Sequence, residues 1–300
     1  MPNPFAESGS WLRGNLHCHT SNSDGALKPQ ATVDAYAALG YDFLAITDHD
    51  QFTDPNQLDA RGMTLIPGVE VSSLGEPPLD TIHLVALGVH KVPRLGHHPT
   101  WRAAVWALAE ESQVCFVAHP YWSLIEAEQL LALEGHIGME VYNRVCERLT
   151  NHGSSESQWD VLLAHGREVW GLAVDDCHSQ TDFGGGWIML KSAEKSVGGL
   201  LRAVRRGSFY SSNGPELRGI SLMGEDELRI QCSPCAQAAV IGAMPGSGRT
   251  TLLMDKLERP FEEVTLEVPT PDAWLRVEVI DEKGRKAWSN PFRLDEMEAG

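Results

Sequence analysis

Up to about residue 212, short apolar runs rich in β-branched residues alternate with segments of helical spacing, and this rhythm admits few folds. Between Pro29 and Gly40 the segment reads as a helix, with proline near its first turn and glycine just past its end. YDFLAIT (41–47) reads as a strand, as do MTLIPGVEVSS (63–73), HLVALGV (83–89) and VCFVAH (114–119), and helix-spaced WRAAVWALAEES (101–112) separates the last two. Helix-like SLIEAEQLLALEG, strand-like IGMEVYN, helix-like QWDVLLAHG, strand-like EVWGLAVDD and WIMLKS, and helix-like VGGLLRAVRRG follow. Such alternation predicts an α/β fold with a largely parallel sheet or barrel. From Asn213 onward the runs become short and alternating (LRIQ, AVIG, TLLM, EEVTLEV, AWLRVEVID), which predicts an all-β extension. The change falls in SSNGPE, at 212–216, and divides the chain into 1–213 and 214–300.

The chemistry is concentrated where the strands end. His17-Cys18-His19 is followed by Asp24, YDFLAIT by Asp48-His49, and VCFVA by His119; Glu70 lies in the third run, His83 opens the fourth, and EVWGLAV runs into Asp175-Asp176-Cys177-His178. In an extended segment residues i and i+2 share a side, so His17 and His19 can meet one ion, although an isolated H-x-H reads equally as two polar strand-end residues. The repetition decides between these readings. In parallel α/β folds the carboxyl ends of the strands converge on one face. Packing so many imidazoles and carboxylates there without cations would leave buried groups unpaired and like charges close. The mixed nitrogen and oxygen set suits Mn²⁺, Zn²⁺ or Fe²⁺, and the lack of a thiolate set argues against a structural zinc knot.

Composition removes several classes. At 300 residues and 42% hydrophobic content the chain is neither disordered nor a miniprotein. A formal charge of −17 argues against stable coating of nucleic acid, although three divalent ions in one cleft would offset six of those charges locally. No run approaches the roughly 18 apolar residues of a membrane span. MPNPFAESGSW lacks the basic and apolar regions of a secretory leader, and six cysteines are too sparse for a disulfide scaffold. The expectation is a soluble chain of a reducing cytoplasm, with no membrane partner.

The order H-x-H, D-H after a strand, a strand glutamate, two separated histidines and a final D-x-H resembles the PHP (polymerase and histidinol phosphatase) superfamily, over about residues 13–212. The resemblance implies a distorted (β/α)₇ barrel with two to three divalent ions. It assigns His17, His19, Glu70 and Asp176 to the first ion, with Glu70 bridging to a second held also by His83 and His119, and Asp24, His49 and His178 to a third. GMEVYN, the stretch at 159–167, VDDCH, FYSSNGPEL and AWLRVEVIDEKGRKAWSNP resemble the carbaryl hydrolase (CehA/McbA-like) branch of that superfamily.

The implied activity is hydrolysis of a small phosphorylated molecule, a phosphomonoester or phosphodiester such as a nucleotide, by hydroxide shared between two ions. Carboxylester or carbamate hydrolysis by the same hydroxide is the alternative, and a non-catalytic binding module a third. Proton delivery falls to a histidine such as His178, to a bound water or to Asp175. Arg144 is a candidate phosphate clamp, or a solvated surface arginine, and Asn143 a substrate-binding or ligand-orienting residue beside Glu140. GAMPGSGRT (242–250) departs from a phosphate loop at Ala243 and Arg249 and reads as a hairpin turn; Cys232-x-x-Cys235 reads as a turn with two ordinary thiols, and His97-His98 as a loop.

Overall fold

The computed structural model describes residues 3–72, 82–93, 100–224, 226–244, 248–253, 260–268 and 274–297. In chain order its elements are β1 (Ser10–Asn15), α1 (Pro29–Ala38), β2 (Phe43–Ile46), β3 (Thr64–Val71), β4 (Leu84–Leu87), α2 (Trp101–Glu111), β5 (Val114–Val117), α3 (Ala127–Leu131), β6 (Gly138–Asn143), α4 (Arg144–Thr150), α5 (Glu156–Ala164), β7 (Trp170–Val174), β8 (Trp187–Ser192), α6 (Val197–Arg206) and β9 (Phe209–Ser212). The all-β part adds β10 (Leu217–Met223), β11 (Glu227–Cys235), β12 (Gln237–Met244), β13 (Gly248–Leu253), β14 (Phe261–Glu267), β15 (Trp274–Ile280), β16 (Lys286–Ser289) and β17 (Phe292–Arg293).

Strands β2, β4, β5 and β7 are buried at every position, as their unbroken apolar sequences require when both faces of a sheet are covered. Pairing runs β8-β1-β2-β3-β4-β5-β6-β7. The sheet is mixed: β4 is antiparallel to β3 and β5, and β8 to β1, whereas β1–β2, β2–β3, β5–β6 and β6–β7 are parallel. The expected closed (β/α)₇ barrel is not formed among the described residues. A strand has two edges, and those of β1 are taken by β2 and β8, so β7 has no ladder to close onto. One parallel bridge beyond the strand ends, Cys18 to Cys177, ties β1 to β7. Helix α6 starts at the Ser196 cap, stops at Gly207 (φ 77°) and buries Leu200, Leu201, Ala203 and Val204 in one core with Phe43, Ile66, Phe116 and Leu172.

Two segments differ from their sequence pattern. SLIEAEQLLALEG supplies only the five-residue α3, opened by a Glu126–Gln129 capping box and ended by i→i+3 bonds from Ala132 and Leu133. Helix α4 begins with no loop after β6, because the Asn143 side chain accepts from Cys146 N and caps it directly.

The β extension continues the same sheet, since β9 pairs with β8 on one side and β16 on the other, leading to β15, β12 and β13. A second sheet, β10-β11-β14, packs against it over a core that includes Ile220, Ile230, Val264, Val277 and Val279. Arg276 of β15 is fully buried and bonds Asp160 of α5 through two nitrogens, at 2.8 and 3.1 Å. Beside it Lys286 reaches Glu156 of α5 at 2.8 Å and Glu278 at 3.0 Å. Cys232 and Cys235 correct the expected turn: both are buried within β11, where the register shifts between Gln231 and Cys235. In the glycine-rich stretch Met244 pairs antiparallel with Gly248; its tip (245–247) and His97-His98 lie outside the described residues.

Candidate metal centre

Beyond β1 the chain stays extended through His17, Cys18 and His19, fixed by His19 N→Cys177 O (2.9 Å), Asp176 N→His17 O (3.0 Å) and Thr47 N→Cys18 O (2.9 Å). These bonds draw the ends of β1, β2 and β7 together. A second bridge, His49 to Glu70, does the same for β2 and β3. Both cysteines of the first bridge turn away, Cys18 Sγ toward Ala45 O (3.3 Å) and Cys177 Sγ toward Ser179 O (3.3 Å). His119 (φ 28°) and Asp176 (φ 50°) adopt the left-handed region, a strained backbone worth about 1–3 kcal/mol each that persists where surrounding bonds impose it.

His17, His19, Glu70 and Asp176 are all buried and present one atom each to a common point. His17 Nε2 lies 3.1 Å from His19 Nε2, 3.1 Å from Glu70 Oε2 and 3.3 Å from Asp176 Oδ1; His19 Nε2 lies 3.0 and 3.1 Å from the same two oxygens. An ion with tetrahedral bonds of about 2.0–2.1 Å requires donor separations of roughly 3.3 Å. Glu70 Oε2 and Asp176 Oδ1 are buried with no hydrogen-bond partner, as is His49 Nδ1, 3.1 Å from Glu70 Oε2. Unpartnered lone pairs converging at this spacing fit a cation. Glu70 Oε1 lies 3.0 Å from His83 Nδ1 and 3.5 Å from His119 Nε2, and Asp24 Oδ2 lies 3.3 Å from His178 Nε2 and 3.8 Å from His49 Nε2. All nine residues expected from the sequence are thus brought together, in three overlapping groups.

The field of the cluster is that of a cation trap. Burial disfavours the charged form of His19, but Asp176 and Glu70 outweigh it and push the imidazole up to about 9. Burial likewise opposes ionisation of Glu70 and Asp176, and His17 outweighs it, holding both carboxyls well below their usual range. Hydrogen bonds fix which nitrogens carry lone pairs. His17 Nδ1–H donates to Glu140 Oε1 (2.6 Å) and His178 Nδ1–H to Asp176 O (2.8 Å), so each turns Nε2 inward. Glu140 Oε2 also accepts from His119 N and from Asn143 Nδ2, each at 2.8 Å. Asp48 takes Thr20 N (2.7 Å), Thr20 Oγ1 (2.8 Å) and Ser23 Oγ (2.8 Å), holding the loop that carries Asp24.

Three sequence expectations need correction. Asp175 is fully buried and faces away: its oxygens accept from Gly184, Gly185 and Gly186 N and from Tyr36 hydroxyl, and burial pushes its carboxyl up to about 6. It pins the 184–186 turn and has no route to a substrate. Asn143 spends its amide on Glu140, on Asp176 Oδ2 (3.0 Å) and on the α4 cap, which places it to orient those carboxylates and not among the residues lining the cavity below. Arg144 lies over Gly185, where a Cβ would come within 2.3 Å of its Cδ, and bonds the Tyr142 hydroxyl. One helical turn on, Arg148 does reach the cavity. That cavity, about 320 Å³, is lined by Asp24, His49, Glu70, His83, His119, Asp176 and His178 together with Trp122, Val145, Cys146, Arg148, Leu149 and Ser179. Arg148 Nε is held by Asp182 Oδ1 at 2.7 Å. Its place one turn after Arg144 was the only sequence signal for it, and it needed the start of α4 to be read.

The PHP domain pattern matches residues 15–170, just over half of the chain. The chain belongs to the PHP domain family. It is 41% identical over 80 residues to a 3′,5′-nucleoside bisphosphate phosphatase of Chromobacterium violaceum, covering 25% of this chain and 27% of that protein. It is 40% identical over 81 residues to a 5′-3′ exoribonuclease of Haemophilus influenzae, covering 26% and 29%. The PHP chain therefore spans less than a third of the length of these curated relatives. The crystal structure of a two-domain Bacteroides vulgatus protein containing a predicted PHP-like metal-dependent phosphoesterase superposes with a TM-score of 0.55 at 15% identity, over 95% of this chain and 96% of that one. That likeness is one of fold, and it extends over the β part. Among the described residues no helix is long and apolar enough to cross a membrane.

Proposed function

We propose that this PHP protein is a metal-dependent phosphoesterase that releases a phosphoryl group from a small phosphorylated molecule, with a nucleotide as one substrate class. The observation that carries this reading is the convergence of ligand atoms of His17, His19, Glu70 and Asp176, with Glu70 Oε2 and Asp176 Oδ1 buried and unpartnered, where Glu70 and Asp176 line a cavity that also holds Arg148. His17, His19, Glu70 and Asp176 would hold one ion, Glu70, His83 and His119 a second, and Asp24, His49 and His178 a third. Divalent ions there supply a water nucleophile near neutral pH and offset charge building on the phosphoryl oxygens.

The protein's own groups do the positioning. Glu140 and the Asp176 carbonyl hold His17 and His178 in the tautomers that present Nε2. Arg148, with one nitrogen braced by Asp182, keeps the rest of its planar fork for a phosphate oxygen. Of the two residues expected to move protons, His178 lines the cavity and Asp175 does not. Carboxylester or carbamate hydrolysis is the second reading, favoured by the apolar wall of Trp122, Val145 and Leu149. Phosphate release from a panel of phosphomonoesters and diesters, with and without Mn²⁺, tests the proposal. Metal-dependent release is expected; turnover of aryl esters with no phosphate release would replace it with the second reading.

A further inference from the structure

We propose that Cys232 and Cys235 form a reversible redox site, a dithiol that a hydroperoxide converts to a disulfide, at the corner where β11 passes into β12. Strand β11 turns Leu228, Ile230 and Cys232 inward at every second position, and then Cys235. On a regular strand, side chains three residues apart point to opposite faces. Here both cysteines are fully buried in the core between the two sheets, because the strand carries a bulge. Gln231 pairs with Glu263 and Cys235 with Phe261, so four steps along β11 match two along β14. The strand thus advances roughly 7 Å where four regular steps would cover roughly 13 Å. The residues between are fastened to the start of β10: Ser233 N donates to Glu216 O and Glu216 N to Ser233 Oγ, each at 3.0 Å. The distortion that shortens the strand therefore sets two thiols beside each other on one face.

The two sulfurs are hydrogen-bonded to each other. That bond holds the Cys232 thiol below its usual range, opposed by burial and aided by the Arg218 guanidinium, and the same bond together with burial pushes Cys235 well above it. One sulfur is the ready nucleophile and its neighbour keeps the proton, as a redox dithiol requires. Burial instead pushes up the thiols of Cys18, Cys115, Cys146 and Cys177. In the reaction the Cys232 thiolate attacks one peroxide oxygen, the O–O bond breaks, and the departing oxygen takes a proton and leaves as water. Cys232 is then a sulfenic acid. The Cys235 sulfur attacks the Cys232 sulfur, the S–O bond breaks, and the hydroxide leaves with the Cys235 proton as a second water. Two thiols and one peroxide give one disulfide and two waters, and an added dithiol returns the two electrons and two protons. None of the nine residues of the metal cluster takes part, so the inference stands apart from the phosphoesterase reading.

The test exposes the full chain, loaded with Mn²⁺, to hydrogen peroxide, alkylates the remaining thiols in denaturant and maps the tryptic peptides by mass. Cleavage after Arg229 and Arg249 puts Cys232 and Cys235 on one peptide that holds no other cysteine. That peptide is expected to lose two hydrogens, to escape alkylation and to regain both thiols under dithiothreitol. Its oxidation should run at least about 10-fold faster than that of any of the other four cysteines. Cys235→Ser should stop at a Cys232 sulfenic acid, trapped by dimedone, and Cys232→Ser should leave Cys235 reduced. The parent's map needs no variant, so a misfolded serine variant leaves the test standing. A dithiol left intact by peroxide, oxidation of Cys18 or Cys177 ahead of it, or Cys232 sulfinic acid formed with no disulfide overturns the proposal. A sulfenic acid trapped on Cys235 in the Cys232→Ser variant overturns the assignment of Cys232 as the attacking thiol.

Discussion

Glu140→Gln isolates the contribution of a carboxylate that touches no ion. Glu140 is fully buried, and its two oxygens face three donors: His17 Nδ1 at 2.6 Å on one side, and His119 N and Asn143 Nδ2, each at 2.8 Å, on the other. A glutamine has nearly the same shape but one oxygen fewer. With its NH₂ toward His119 and Asn143, donors would face two donors. The amide therefore turns its nitrogen to His17, whose Nδ1 must become the acceptor. The ring proton then moves to Nε2, the atom that lies 3.1 to 3.3 Å from its neighbours in the cluster, and the lone pair for an ion is lost. Removing such an orienting partner weakens metal binding by about 10–100-fold, or about 1.4–2.8 kcal/mol. Calorimetric titration of metal-free protein with Mn²⁺ or Zn²⁺, with circular dichroism to confirm the fold, reads this directly. Affinity within twofold of the parent, in a folded variant, would refute the claim that Glu140 sets the His17 tautomer.

Other outcomes follow from the same geometry. Arg148→Met should lower kcat/KM for phosphate esters by roughly 10–100-fold, the range of one charge-assisted hydrogen bond, while Arg144→Met changes it less than about twofold; steady-state kinetics on both variants checks this. Arg276→Met should cost about 3–5 kcal/mol in urea unfolding by removing the guanidinium that two nitrogens hold against buried Asp160, and Arg276→Met with Asp160→Leu should recover most of it. His136, buried with Nδ1 on Gly138 O and Nε2 unpartnered, is pushed by burial down to about 4, below the about 6.5 of an unfolded histidine. Between those values the unfolded chain binds the proton and the folded chain does not. Stability is therefore full above about pH 6.5 and falls by up to about 3 kcal/mol on the way to pH 4, and His136→Gln should flatten that part of a urea-unfolding pH profile.

The convergence of these side chains was legible because their chemistry recurs at strand ends, and strand ends are what apolar runs mark best: FLAI, VCFV and WGLAV stop just before His49, His119 and Asp176. That Asp175 takes no part in the cluster was not legible. It depends on the left-handed backbone at Asp176 and on three backbone amides, of Gly184, Gly185 and Gly186, that claim Asp175. The phosphate-clamp reading of Arg144 failed because α4 starts at once on the Asn143 cap, which places position 144 over Gly185 and position 148 at the cavity. Closure was misread for a topological reason: WIMLKS looks like one more strand of the series, and only its long-range pairing shows that it turns back along β1. Trp122 falls between the strand and helix patterns and carries no sequence signal of its own; the turn held to His119 is what leaves it lining the cavity.

Elemental analysis of protein purified without added metal, alongside His17→Ala and Asp176→Ala, tests the central claim most directly. Two to three equivalents of Mn, Fe or Zn in the parent, falling in both variants, is the predicted result. Fewer than about 0.2 equivalents in the parent, even after reconstitution with Mn²⁺ and Zn²⁺, would contradict it and leave the convergent atoms of His17, His19, Glu70 and Asp176 without the cation they require.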